Sequence, residues 1–263
     1  MTHNEGADNQ MRSVRSPLAN LRDLGGLPVA TGIIKPTVLF RSDDLTLSPI
    51  EELHELVNLG LNIVLDLRSP SEQVLRPHMD LVGLGVSLHS LSFIEDAIDP
   101  ETAAARMTEI ATPSDLGRWY AQMAEDAAAI IVRGLDIIVG SEGSTLFHCA
   151  AGKDRTGVFS AAILSVLEAE EDVIIEDYAQ TDLVIQQVLS RLSPVSLDDS
   201  DSDRPQWDPA MFSSDSPLLR AQADTARAML SELSSRHGGM SNLLHNAGMA
   251  PHMRERLEAK LVL

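Results

Sequence analysis

Cys149, preceded by His148, is separated from Arg155 by five small or polar residues, in the run STLFHCAAGKDRTG at positions 144–157. Thr145, Leu146 and Phe147 form a short apolar run with β character, and a helical pattern starts at Thr156. A strand that turns straight into a helix leaves the first helical N–H groups without partners and the positive end of the helix dipole facing the turn. Together these make an anion site. Ala150, Ala151 and Gly152 carry almost no side chain, so their backbone can approach a ligand closely. Arg155 offers a planar fork that matches two oxygens of a tetrahedral oxyanion. A thiol in such a place is expected to ionise below its ordinary value of about 8.5, and the thiolate is the attacking form. These residue types at this spacing fit in-line attack of Cys149 on phosphorus while the cradle holds the equatorial oxygens. A His-Cys pair on its own would read as a buried cysteine in a turn. With Gly152, Arg155, Thr156 and Gly157 all in place, the chemical reading prevails.

The remaining roles are distributed around that core. Thr156 is expected to hydrogen-bond the sulfur, His148 to orient the cradle or tune the thiol from behind, and Lys153 to add positive charge at its mouth for a second phosphate or an acidic peptide. A leaving oxygen needs a proton. Two carboxyls compete to give it: Asp154 inside the loop, and Asp66 at the end of the nearly continuous apolar run 61–67 (LNIVLDL). That run reads as a central parallel strand, and ligands in such sheets sit beyond the carboxyl ends of the strands. Against Asp66 stands a plainer reading, that it pairs with Arg68 or caps a helix.

HCAAGKDRTG resembles the signature of Cys-dependent protein tyrosine phosphatases, in the bacterial branch that carries Gly-Lys-Asp-Arg-Thr-Gly. Other stretches are similar to that branch: NLRDLGG at 20–26, LFRS at 39–42, GL..V.DLRS..E at 60–72, and Asp177-Tyr178 with Thr181-Asp182, where Asp182 stands in place of a common Asn. Towards the end, His237 occupies a position where Tyr is usual. The resemblance runs from about Asn20 to the C-terminus and is weak over 193–215. It implies hydrolysis of phosphotyrosine through a cysteinyl-phosphate on Cys149, held by Arg155 and the loop amides, and leaves phosphoserine/threonine and phosphoinositides open. It calls for no cofactor and no metal. Two readings from other classes are a rhodanese-type sulfurtransferase, which has no use for Lys-Asp-Arg-Thr-Gly, and a silent phosphate-binding module, which has no use for Cys149 with an acid.

The rest of the chain must position these residues. Its 263 residues can bury one sizeable core, and the expected fold is α/β, a central mostly parallel sheet flanked by helices. Residues 1–14 read as a disordered tail and 15–263 as a single domain, with a loose loop at 193–216 and C-terminal helices over 217–263. Helices are expected from Ser48-Pro49 (cap and first position) to Gly60, over 99–111, over 114–126 running on into 127–139, over 158–167 and 172–192, and over 217–236, 240–246 and 251–263. Trp119, Tyr120 and Met123 fall at helical spacing and read as core, the alternative being an aromatic pair near the site that sandwiches a phenyl ring. Arg22-Asp23 reads as a surface ion pair.

Net charge is −19, which disfavours nucleic acid and anionic membranes as partners, and no apolar run approaches a membrane span. The expected partners are phosphorylated proteins or small phosphomonoesters. Arg12, Arg15, Arg22, Arg41, Arg68, Arg76, Lys153 and Arg155 lie before or within the cradle, so the local field there is expected to favour anions. The single cysteine excludes an internal disulfide and suits a cytoplasmic location.

Overall fold

A computed structural model describes residues 15–94, 109–192 and 216–263. The expected tail, most of the helix at 99–111 and most of the loop at 193–216 lie outside the described residues.

Strands β1 (Arg22–Asp23), β4 (Leu39–Ser42), β5 (Leu61–Asp66), β6 (Ser87–Ser90) and β7 (Ser144–His148) form one sheet in the order β1-β4-β7-β5-β6. The short pair β2 (Pro28–Val29) and β3 (Gly32–Ile33) stands apart as a second sheet. Only β1 runs antiparallel in the main sheet; β7 lies between β4 and β5 with parallel pairing on both sides. Every residue of β7 is buried, as a strand covered on both faces requires. Its register places Asp66 of β5 and Ser42 of β4 on either side of His148, so three strand ends converge where the cradle begins.

Eleven α-helices are formed among the described residues: α1 (Ile50–Asn58), α2 (Pro70–Leu75), α3 (Met79–Gly83), α4 (Pro113–Asp126), α5 (Ala128–Gly140), α6 (Asp154–Val166), α7 (Glu171–Gln180), α8 (Ile185–Leu192), α9 (Ala223–His237), α10 (Met240–Asn246) and α11 (Met253–Leu261). Helix α6 continues directly from the cradle and is buried along almost its whole length. Its Phe159 meets Phe147 of β7 edge-on, with ring centroids 5.1 Å apart. Helices α4 and α9 pack closely because Gly117 permits it: a Cβ there would come within 2.5 Å of Ala228 and of the Thr225 carbonyl.

Three expectations about helices are corrected. Ser48 does not cap α1; its N–H closes a 3-10 turn onto the Leu45 carbonyl at 3.1 Å, and α1 begins at Ile50 without a side-chain cap. The helix expected over 172–192 is two, α7 and α8, broken by a 3-10 turn at Thr181–Leu183. The break frees Asp182 to accept from Arg220 and from the Ala221 N–H at 2.7 Å. For the same reason 217–236 is not one helix: a 3-10 turn at Pro217–Leu219 and an extended Arg220 precede α9.

Candidate active site

The loop from Cys149 to Lys153 is shaped by what its carbonyls do. The Cys149 carbonyl accepts from His148 Nδ1 at 3.0 Å, that of Ala150 from the Asp44 N–H at 3.0 Å, and that of Ala151 from Asn20 Nδ2 at 3.1 Å. The Gly152 carbonyl takes both Asn20 Nδ2 and the Arg41 guanidinium at 2.9 Å, and that of Lys153 takes the Gly157 N–H at 2.8 Å. Every oxygen of the loop is thus bound to the scaffold. The six N–H groups from Ala150 to Arg155, by contrast, donate to no protein acceptor among the described residues. A run of unpaired N–H groups at the start of α6, in a partly buried loop, is an anion cradle. Gly152 makes the turn at φ +65°, where a Cβ would lie 2.5 Å from the Ser42 carbonyl oxygen.

Cys149 is buried at the base of this loop. Arg155 is pinned by the Glu72 carboxylate, which grips it through both oxygens, the Arg155 Nη2 to Glu72 Oε1 distance being 3.0 Å. Burial opposes the charge on Arg155, but Glu72, together with the negative charge available at Cys149 and Asp154, holds the guanidinium above its ordinary value. Glu72 is itself fixed by a capping box at the start of α2, where it accepts from the Ser69 N–H at 2.7 Å. The sequence carried that signal in Ser69-Pro-Ser-Glu72, but nothing in it linked the cap to Arg155.

Behind the cradle His148 is fully buried, and burial, only partly offset by Asp66, pushes its pKa down to about 4. The Cys149 carbonyl can only accept, so Nδ1 carries the hydrogen of the neutral ring and Nε2 is a lone pair. His78 Nε2, 3.0 Å away, must then present its own hydrogen to it. His78 also lies 3.1 Å from Asp66 Oδ2. Asp66 stands at the expected strand end, but both of its oxygens are engaged: Arg68 reaches them with Nε and with Nη2 at 2.7 Å, and the Arg68 N–H adds a bond at 3.0 Å. Burial would raise its pKa; the histidine pair and Arg68 outweigh it and hold the carboxyl well below the usual range. The plainer reading of Asp66, as the partner of Arg68, describes its contacts.

Asp154 differs in every respect. It begins α6, its side chain is 27% exposed, and only one oxygen is engaged: Oδ1 accepts from the Tyr120 hydroxyl and lies 3.4 Å from Lys153 Nζ. Lys153 does not line the mouth of the cradle, which corrects the expectation. Its side chain is 2% exposed, and Nζ turns inward to the carbonyls of Leu218 at 2.6 Å and Arg220 at 3.1 Å. The ammonium is held by one carbonyl of the 3-10 turn at Pro217–Leu219 and by that of the extended Arg220 which follows it. Thr156 is buried with its hydroxyl free of any protein partner.

Asn20 and Arg22 were legible only as part of a resemblance. Arg22 is no surface pair with Asp23; it joins Arg41 on the buried Asp177 carboxylate, while Asp23 accepts from the N–H groups of Gly25 and Thr37. Burial opposes ionisation of Asp177, and the two arginines prevail, holding it below its ordinary value.

Asp66, His78 and His148 place three potential metal-binding atoms within 4.8 Å of one another. Arg68 already fills the charge requirement of that cluster, its Nη2 lying 3.2 Å from His78 and 2.7 Å from Asp66, so a cation there would face a buried guanidinium.

A cysteine under a ring of unpaired amides, with an arginine locked beside it, is the equipment of a thiol-dependent phosphatase. The model of the tyrosine phosphatase family matches residues 15–263, and the chain belongs to that family of hydrolases, which dephosphorylate phosphotyrosine. It is 27% identical over 272 residues to the triple specificity protein phosphatase PtpB of Mycobacterium tuberculosis, covering 92% of this chain and 96% of that one. A Cupriavidus necator protein provisionally named a tyrosine-protein phosphatase is also 27% identical, over 241 residues (88% and 81% of the two chains). A tyrosine-protein phosphatase of Nostoc commune is 25% identical over 215 residues (78% and 68%). Among solved structures, Pseudomonas aeruginosa TpbA in complex with phosphotyrosine aligns with 56% of this chain and 70% of that one at 18% identity and a TM-score of 0.30, a likeness too loose to argue from.

Proposed function

We propose that the chain hydrolyses phosphotyrosine in proteins by two in-line displacements at Cys149. The Cys149 sulfur attacks phosphorus, the bond to the tyrosyl oxygen breaks, and Asp154 gives that oxygen its proton. Water then attacks the cysteinyl-phosphate, losing a proton to Asp154 as the phosphorus–sulfur bond breaks. The amides from Ala150 to Arg155 and the Arg155 fork take the phosphoryl oxygens, and the free Thr156 hydroxyl is available to the departing sulfur. The observation that carries this reading is the division of the loop, with its carbonyls all bound outward and its N–H groups all unpaired.

Asp154 is assigned as the acid and base rather than Asp66. A proton donor needs an oxygen that can reach substrate, and Asp154 Oδ2 has no protein partner among the described residues, whereas Asp66 has no oxygen to spare. Phosphoserine/threonine and phosphoinositides are secondary substrate classes in this proposal, supported by the likeness to PtpB, whose name ascribes triple specificity to it. No helix among the described residues is long and apolar enough to cross a membrane. The lone cysteine supports a cytoplasmic setting, where a thiol stays reduced.

Phosphate release from phosphotyrosine peptide, phosphoserine peptide and phosphoinositides under identical conditions tests the substrate order. Cys149→Ser is expected to release none while still retaining the phosphotyrosine peptide. Turnover by that variant would refute the covalent route, and wild-type binding without release would instead mark a silent phosphate-binding module.

A further inference from the structure

Tyr120 and Tyr178 are both buried, on α4 and α7, with their rings edge to face and centroids 5.9 Å apart. Phenylalanine would fill that part of the core equally well, so the two hydroxyls call for a reason. The Tyr120 hydroxyl donates to Asp154 Oδ1 and lies 3.2 Å from the Tyr178 hydroxyl. Because the carboxylate takes the single proton of Tyr120, the Tyr178 hydroxyl donates to Tyr120. Burial and the charge of Asp154 push both phenols above their ordinary value, so the chain Tyr178 to Tyr120 to Asp154 stays intact across the working pH range. Lys153 Nζ, 3.4 Å from the same Oδ1, is a second tether on that side.

The terminal torsion of an aspartate is broad and nearly two-fold, so a carboxyl at the first turn of a helix would otherwise present either oxygen. We infer that Tyr120, backed by Tyr178, is a positioning residue for the acid–base step: it holds Oδ1 and thereby turns Oδ2 of Asp154 toward the leaving oxygen. No proton leaves Tyr120 in the cycle. The inference rests on the assignment of Asp154 as the acid.

Its test compares Tyr120→Phe, Tyr178→Phe and Asp154→Asn with the parent chain, reading kcat/KM on p-nitrophenyl phosphate, whose leaving group departs readily, and on phenyl phosphate, whose leaving group has a pKa of about 10. Inorganic phosphate as a competitive inhibitor reports the cradle itself. Tyr120→Phe should lower kcat/KM about tenfold on phenyl phosphate and less than about twofold on p-nitrophenyl phosphate, with inhibition by phosphate unchanged. Tyr178→Phe should show a smaller effect of the same kind, and Asp154→Asn a larger one. An equal loss on both substrates, or weakened phosphate inhibition, would reduce Tyr120 to packing and overturn the inference. If Asp154→Asn depends on the leaving group and Tyr120→Phe does not, the inference alone fails. If Asp154→Asn shows no such dependence, the acid assignment fails and the role of Tyr120 with it.

Discussion

At the scale of single residues the cradle is held by side chains outside the loop itself. Glu72 is the clearest case, because it fixes the plane of the Arg155 fork through two bonds. Glu72→Gln keeps the size of the side chain and loses the charge-assisted grip, so Arg155 should sample other rotamers. A misplacement on that scale costs about 10- to 100-fold in kcat/KM on phosphotyrosine peptide, and the melting temperature should fall as well, because Arg155 is largely buried and loses its carboxylate partner. Gly152→Ala should do the reverse in emphasis. At φ +65° and with the Ser42 carbonyl oxygen 2.5 Å from the new Cβ, the loop must move, costing more than about 1 kcal/mol of stability and most of the affinity for inorganic phosphate. Denaturant midpoints and phosphate inhibition of the same preparation measure both effects.

At the scale of elements, the turn from β5 into α2 and α3 carries a buried polar network in which Arg68 pairs with Asp66 and Asp44 and the two histidines continue it to the cradle. Asp66→Asn leaves the fully buried Arg68 short of one charge, a loss of about 3–5 kcal/mol by denaturation. Because the residue is held as a structural carboxylate, the kinetic penalty should be the same for good and poor leaving groups, unlike that of Asp154→Asn. The network also sets the acid limit of the fold. His148 ordinarily ionises near 6.5 but near 4 when folded, so the unfolded chain binds the extra proton first as pH falls. Stability is therefore full above about 6.5 and declines toward 4, by roughly 3 kcal/mol for this group. The lowered carboxyls of Asp66 and Asp177 act in the same direction at lower pH, contributing above their ordinary range and losing it as they protonate. Melting temperatures between pH 7 and 4 for the parent chain and His148→Gln should show the steeper slope in the parent.

Across the whole molecule the loop from Cys149 to Lys153 is clamped by segments far away in sequence. Asn20 and Arg41 hold it from the N-terminal side, and Lys153 binds it to the stretch before α9, where Asp182 also anchors Arg220. The basic residues that precede the cradle were expected to offset the net charge there. Arg41 and Arg68 are instead consumed by the buried carboxylates of Asp177, Asp44 and Asp66, which in the proposed reaction leaves phosphate to Arg155 and the amides. Lys153→Met should thus act on architecture. Losing two bonds from a buried ammonium costs about 2–4 kcal/mol, and phosphate release should fall through disorder of the loop even though this side chain faces away from its mouth. Hydrogen exchange of the Leu218 to Ala221 amides, faster in the variant, would identify that origin. Unchanged exchange would contradict it.

The cradle itself was legible in the sequence because its chemistry is local: a strand, a turn of small residues and a helix start are specified within one short run, and the helical periods around it mark α1, α4 and α6. The apolar run 61–67 was readable as a central strand for the same reason, and it forms β5. What neighbours in sequence cannot specify is which partner a charge finds. Asp66 and Asp154 look equivalent as residues, and Lys153 looks like a cation at the mouth of the loop. Glu72 lies 83 positions from Arg155, and Asn20 lies 132 from Gly152. Burial makes an unpaired charge or amide costly, so each of these groups takes the partner that packing brings within reach. Only the folded chain determines which carboxylate is tied down and which is left with a free oxygen.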